Sequence, residues 1–149
     1  MNLVAIGQIS VPNLILGTRL VHELGDPRST LRATAERRGA AVLVHAGGQV
    51  DGCNEDTWHQ LISEAAAIAS APGPFIVDVT GLDFMACCAF AILASEAMNC
   101  RQRGVALRLV GRQRIVSRTI EACGLSAVLP VYPTVEHALS VAVDTAAAG

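Results

Sequence analysis

The chain has 149 residues, 52% hydrophobic, 16% charged and 3% aromatic, with a formal net charge of −2. This length suits one domain with a sizeable core. The apolar content excludes a disordered chain, and the mild acidity excludes a general nucleic-acid binder, which would be strongly basic.

Residues 1–28 are read as an N-terminal extension and 29–149 as the folded domain. The extension ends in the turn cluster Gly25-Asp26-Pro27, and its apolar residues favour docking. It lacks the basic start of a signal peptide, and no run reaches the roughly 18–20 apolar residues of a membrane helix. Cys53, Cys87, Cys88, Cys100 and Cys123 are odd in number and show no paired spacing. They read as reduced thiols in a cytoplasmic protein with no membrane association.

From Leu31 the pattern becomes regular. Leu31 to Glu36 and Ala41 to Gly47 are predicted strands, the second broken by Gly47-Gly48. Asn54 is placed as N-cap of a helix whose stripe is Trp58, Leu61, Ile62, Ala65 and Ala66, at i, i+3, i+4, i+7 and i+8. Ala71-Pro72-Gly73-Pro74 ends it. Phe75 to Val79 is a short apolar strand of the kind covered on both faces, and Thr80-Gly81-Leu82-Asp83 is expected to turn.

Phe84 to Arg103 is predicted as the most apolar helix, stopped by Gly104. Val105 to Val110 is a strand, Arg112 to Cys123 a helix with Gly124 at C′, and Val128 to Val131 a strand. Thr134 is expected to cap a last helix with the stripe Val135, Ala138, Leu139 and Ala142. The order β-β-α-β-α-β-α-β-α implies an α/β fold with several parallel strands.

Three stretches then resemble the STAS domain, the fold of bacterial anti-sigma factor antagonists. Val44 to Asp51 (VHAGGQVD) is similar to the family's strand and Gly-x-(Leu/Val)-Asp turn. Phe75 to Phe90 (FIVDVTGLDFMACCAF) resembles its strand followed by Phe-(Ile/Met)-Asp-Ser-Ser-Gly. Val105 to Val131 matches the closing strand, helix and Gly-Leu turn. The resemblance covers Leu31 to Val143. It implies a mixed sheet of four to five strands with four helices packed mainly on one face.

The resemblance also implies a non-enzymatic binding module for an anti-sigma factor or a related kinase-fold regulator, with a homodimer as a further assembly. Its partner-binding residues would be Asp51, Ala86, Cys87, Cys88 and Ala89. Where the family has Asp-Ser-Ser-Gly, this chain has Ala86-Cys87-Cys88-Ala89. Cys88 stands at the position of the phosphorylated serine, and a thiol is not an ordinary Ser/Thr-kinase substrate, so the serine switch is expected to be absent.

A strand-to-helix turn sets the helix dipole against these thiols and can lower a thiol pKa. One alternative is therefore a redox sensor using Cys87 and Cys88; the plain reading is two small buried hydrophobes. Cys88 lacks a phosphate-cradling loop and a nearby arginine, so no catalytic residue is assigned. His22, His45, His59 and His137 are scattered and there is no C-x-x-C, so no metal is expected. Without a P-loop or G-x-G-x-x-G, no cofactor is expected.

Charge is divided along the chain. Between Gly39 and Cys100 stand Asp51, Glu55, Asp56, Glu64, Asp78, Asp83 and Glu96, without an arginine. Between Arg101 and Arg118 stand six arginines without an acid. This suits either an ordinary solvated surface or an electrostatically directed protein interface. A nucleotide-binding STAS-like scaffold using those arginines is the third reading; nucleic acid is not expected because aromatic stacking residues are missing.

Overall fold

The computed structural model describes residues 16–141. One mixed sheet has the strand order β1 (Leu31–Arg38), β2 (Ala41–Val50), β3 (Phe75–Met85), β4 (Leu107–Val110) and β5 (Val131–Tyr132). β1 runs antiparallel to β2, and β2 to β5 are parallel. The helices are α1 (Thr18–Gly25), α2 (Glu55–Ile68), α3 (Cys87–Gln102), α4 (Arg114–Ala122) and α5 (Val135–Ser140). There are five described helices where four were expected, because part of the extension is helical.

The two-residue period of the strands sorts the core. Val42, Val44, Phe75, Val77, Leu107 and Leu109 point to one face, where they join Trp58, Leu61, Phe90, Leu93, Val116 and Ile120 of α2, α3 and α4. Leu16, Leu20 and Leu24 bury themselves in the same core. Residues 16–25 are held there by polar ties to α2: Gly17 N–H donates to Glu64 at 2.8 Å and the Thr57 hydroxyl to Glu23 at 3.0 Å. Leu43, Ile76 and Val110 point to the other face and meet Ala138 of α5. Covering on both faces explains why the parallel strands read as nearly continuous apolar runs. Arg108 is buried on the α5 side, where its guanidinium donates to the Ala138 carbonyl and lies 5.9 Å from the centre of the Tyr132 ring.

Several boundaries differ from the sequence reading. β2 does not end at Gly47-Gly48 but continues to Val50, with register shifts between His45 and Gly47 and between Gly48 and Gln49. Gly48 (φ +97) makes this path possible, since a Cβ there would lie 2.0 Å from the Thr30 carbonyl oxygen. The turn expected at Thr80-Gly81-Leu82-Asp83 is strand, because the longer β2 offers partners as far as Val50↔Met85. Gly81 lets the two backbones approach; a Cβ there would lie 2.8 Å from the Ala46 oxygen. Phe84 and Met85 accordingly belong to β3, and α3 starts only at Cys87. β4 starts two residues later than expected and β5 is Val131–Tyr132. Thr134 caps α5 as expected, its hydroxyl accepting from His137 N–H at 3.0 Å. Ala142 lies outside the described residues.

Candidate functional site

The parallel strands deliver their C-terminal ends to one edge of the sheet, the usual place for function in such folds. β2 ends at Val50 and β3 at Met85, side by side, and Ala86 N–H donates to the Val50 carbonyl at 2.9 Å. Asp51 and Ala86 are the next residues of adjacent strands. All five site residues predicted from sequence, Asp51 and Ala86 to Ala89, therefore share this edge.

The loop after β2 is built by side-chain-to-backbone hydrogen bonds. The Asp51 carboxylate accepts from Cys53 N–H at 2.9 Å, an Asx turn. Asn54 occupies the N-cap position of α2, yet its side chain makes no cap bond there. Its carbonyl accepts from Asp51 N–H at 3.0 Å, and its amide donates to the Gln49 carbonyl at 2.9 Å and the Thr30 hydroxyl at 3.0 Å. Asn54 thus closes the loop rather than capping the helix. Glu55 and Asp56 place negative charge in the first turn of α2, where the dipole favours it.

α3 starts without such help. Its N-cap is Ala86 (φ −70, ψ 160), with no side-chain cap and no acid in the first turn. Cys87 is exposed, Cys88 half-buried and Ala89 buried. Partial burial, and then the Glu55 carboxylate beside it, push the Cys88 thiol above its ordinary range. This is opposite to the lowering expected from a helix start: desolvation and a neighbouring anion outweigh the dipole. Burial likewise pushes the Cys100 thiol up, inside the core. The base of the site is tied down by Trp58 of α2, whose indole N–H donates to the Ala89 carbonyl at 3.2 Å.

Two features escape the sequence reading. The first is a polar cluster on the opposite face of the sheet. His45 Nδ1 lies 3.0 Å from Asp78 and its Nε2 lies 3.4 Å from Glu36, while Asp78 accepts from the Thr80 hydroxyl at 2.7 Å. His45 and Asp78 are register partners on adjacent strands, a relationship visible only once strand order is known. The second is the exposure of Phe84 and Ile115 beside the α3 start. Among the described residues no group of three or more His, Cys, Asp or Glu could hold a metal ion, and no helix is long and apolar enough to cross a membrane.

This architecture, a mixed sheet with the β3-to-α3 turn at its C-terminal edge, is that of a STAS domain, and the STAS family model matches residues 32–138. The chain belongs to the STAS domain family. It is 68% identical over 124 residues (83% of this chain and 84% of the relative) to a Mycobacterium tuberculosis protein assigned as an anti-anti-sigma factor. It is 54% identical over 112 residues (75% of this chain and 88% of the relative) to the anti-sigma-F factor antagonist RsfA of the same species. The crystal structure of an anti-sigma factor antagonist from Mycobacterium paratuberculosis has the same fold. Its TM-score is 0.67 at 24% identity, covering 77% of this chain and 95% of that one.

Proposed function

We propose that the protein is an anti-sigma factor antagonist, a non-catalytic cytoplasmic module that docks on an anti-sigma factor of the kinase-fold class. The docking surface comprises Asp51, the start of α2, and Ala86, Cys87, Cys88 and Ala89. The 68% and 54% identical relatives support the partner class. The observation that carries the reading of the site is the helix start itself. Residues 86–89 occupy the turn between β3 and α3, and on the family resemblance Cys87-Cys88 stands where the family keeps the serine pair of its switch.

In family members a phosphate at this turn adds roughly −1.5 to −2 charges and can repel a docked partner. Cys88 removes the hydroxyl that would carry it, so docking is governed by abundance or by a ligand instead. The raised Cys88 thiol weighs against a sensor that relies on the Cys88 thiolate, because the thiolate is the reactive form.

The test incubates the purified protein with anti-sigma factors and ATP, followed by gel filtration and mass spectrometry. A stable complex with one of them, without phosphate on residues 84–92, is expected. No complex with any of them would overturn the partner assignment. Phosphate within 84–92 would overturn the loss of the switch.

A further inference from the structure

The sheet order arranges three kinds of surface in a row along the C-terminal edge. Over the end of β2 lie the acids Asp51, Glu55 and Asp56. Over the end of β3 lie Phe84 and the exposed Cys87. Over the end of β4 lie Arg112, Arg114 and Arg118, all exposed.

The middle and the basic side adjoin a groove of about 160 Å³ between the end of β3 and α4. Leu82, Met85, Phe90 and Val116 line it, and Phe84 and Ile115 stand at its mouth, 53% and 67% exposed. Gln113 fixes its width: the side-chain amide donates to the carbonyls of Val79 at 3.0 Å and Leu82 at 2.9 Å, tying the start of α4 to β3. Two large apolar side chains left in water at one preformed groove mark a contact surface.

The charge beside the groove breaks a local rule. α4 starts with Arg114, has no acid in its first turn and has no side-chain cap from Gln113. A cation at a helix N-terminus opposes the dipole. Arg118 follows Arg114 by four residues and Ile115 by three, so the three share one exposed helix face. Among the described residues none of Arg112, Arg114 and Arg118 makes an ion pair with a carboxylate. A locally unfavourable concentration of positive charge at an apolar groove is the kind of inconsistency that function retains.

We propose that the docking surface extends onto α4 and receives an acidic, amphipathic segment of the anti-sigma factor. The segment seats one large apolar side chain between Phe84 and Ile115 and presents carboxylates to Arg112, Arg114 and Arg118. The acids over β2 then set its direction, because a reversed segment would bring like charges together. The inference deepens the docking reading above and rests on it.

The test is surface plasmon resonance of the full chain on purified anti-sigma-F factor, the partner class named for the 54% identical relative. Ile115→Asp, Phe84→Ala and the double variant Arg114→Glu/Arg118→Glu should each weaken binding roughly tenfold or more, as interface anchors do. The double variant should also slow association and flatten its salt dependence. It should melt no lower than the parent, because Arg114→Glu puts an acid at the helix start, where the dipole favours one; a loss of binding therefore cannot be a loss of folding. Val21→Asp, on the exposed side of α1, should leave affinity unchanged.

If the parent binds and all three variants bind within a factor of two, this inference fails and the docking reading stands. The inference fails in the same way if the variants alter only self-association. If the parent itself binds no anti-sigma factor, the docking reading fails and takes the inference with it.

Discussion

The indole N–H of Trp58 donates to the carbonyl of Ala89 at 3.2 Å, joining α2 to the first turn of α3 across 31 residues. Both residues are fully buried, so the bond fixes the proposed docking turn against the core. Trp58→Phe removes the donor and part of the ring, and should cost about 2 kcal/mol, from the lost hydrogen bond and the space left behind. Urea unfolding measures that loss. Hydrogen exchange should reveal faster opening at residues 87–90 than elsewhere in α3. Stability within about 0.5 kcal/mol of the parent would mean that the tie contributes little beyond an ordinary surface change.

The Cys88 thiol is raised, first by partial burial and then by Glu55. Glu55→Gln removes the carboxylate, so the thiol pKa should fall toward the ordinary range and alkylation of Cys88 at a fixed mildly alkaline pH should quicken. Peptide mapping after iodoacetamide labelling checks this; an unchanged Cys88 rate would show that Glu55 does not act on the thiol. The sign for stability follows from linkage. A thiol with a raised folded-state pKa holds its proton more tightly in the folded protein. Its contribution is complete below the unfolded thiol pKa and is lost as pH rises through the folded value. Cys88 and Cys100 both act in this direction, so stability should decline on the alkaline side.

Ala86 has the extended backbone of an N-cap, and its carbonyl accepts from Ala89 N–H at 2.9 Å, but it has no side-chain acceptor for the first N–H groups of α3. In the resembling family this position is aspartate. Ala86→Asp should stabilise the protein by about 1 kcal/mol, the usual value of a cap. Ala86→Ser tests the same cap without adding charge next to Glu55 and Asp51. Denaturant midpoints measure both; no gain in either variant would mean that the helix start is already satisfied.

The stripe from Trp58 to Ala66 was legible because it follows the helical period, and the run Phe75 to Val79 because a short strand covered on both faces is almost continuously apolar. Thr80 to Met85 was not. Thr80-Gly81-Leu82-Asp83 has turn composition, and only pairing with the extended end of β2 makes it strand. Because β3 continued, the predicted helix had to give up Phe84 and Met85. This moved Phe84 from a helix face to the exposed mouth of a groove. The family motif singled out Asp51 and Ala86 to Ala89, which the fold brings to one edge of the sheet, but nothing local in the sequence outlined the surface around them. Which charges flank Cys87 depends on β4 standing next to β3, a fact of strand order rather than of any local pattern. The helix in the extension was missed for a related reason: Leu16, Leu20 and Leu24 form a stripe too short to stand out before its docking place is known.

The irregular end of β2 makes the shape of the proposed docking edge depend on one glycine. Gly48 combines φ +97 with a backbone oxygen 2.0 Å from any added Cβ, and the Thr30 carbonyl there also accepts from Gln49 N–H at 2.8 Å. Gly48→Ala therefore meets two penalties. The positive φ costs about 1–3 kcal/mol, and relieving the clash must displace the chain before β1 or break its bond to Gln49. That bond and the Asn54 contact to Thr30 hold the loop carrying Asp51, so the variant should lose both stability and order at 49–54. Gly25→Ala is the matched control. It lies at the end of α1 with nothing within 4 Å of an added Cβ, so it should be neutral or stabilise by about 0.4–1 kcal/mol through the unfolded chain. Thermal melts of the two variants check the contrast. Equal melting temperatures would mean that β2 can re-register around Gly48 without strain.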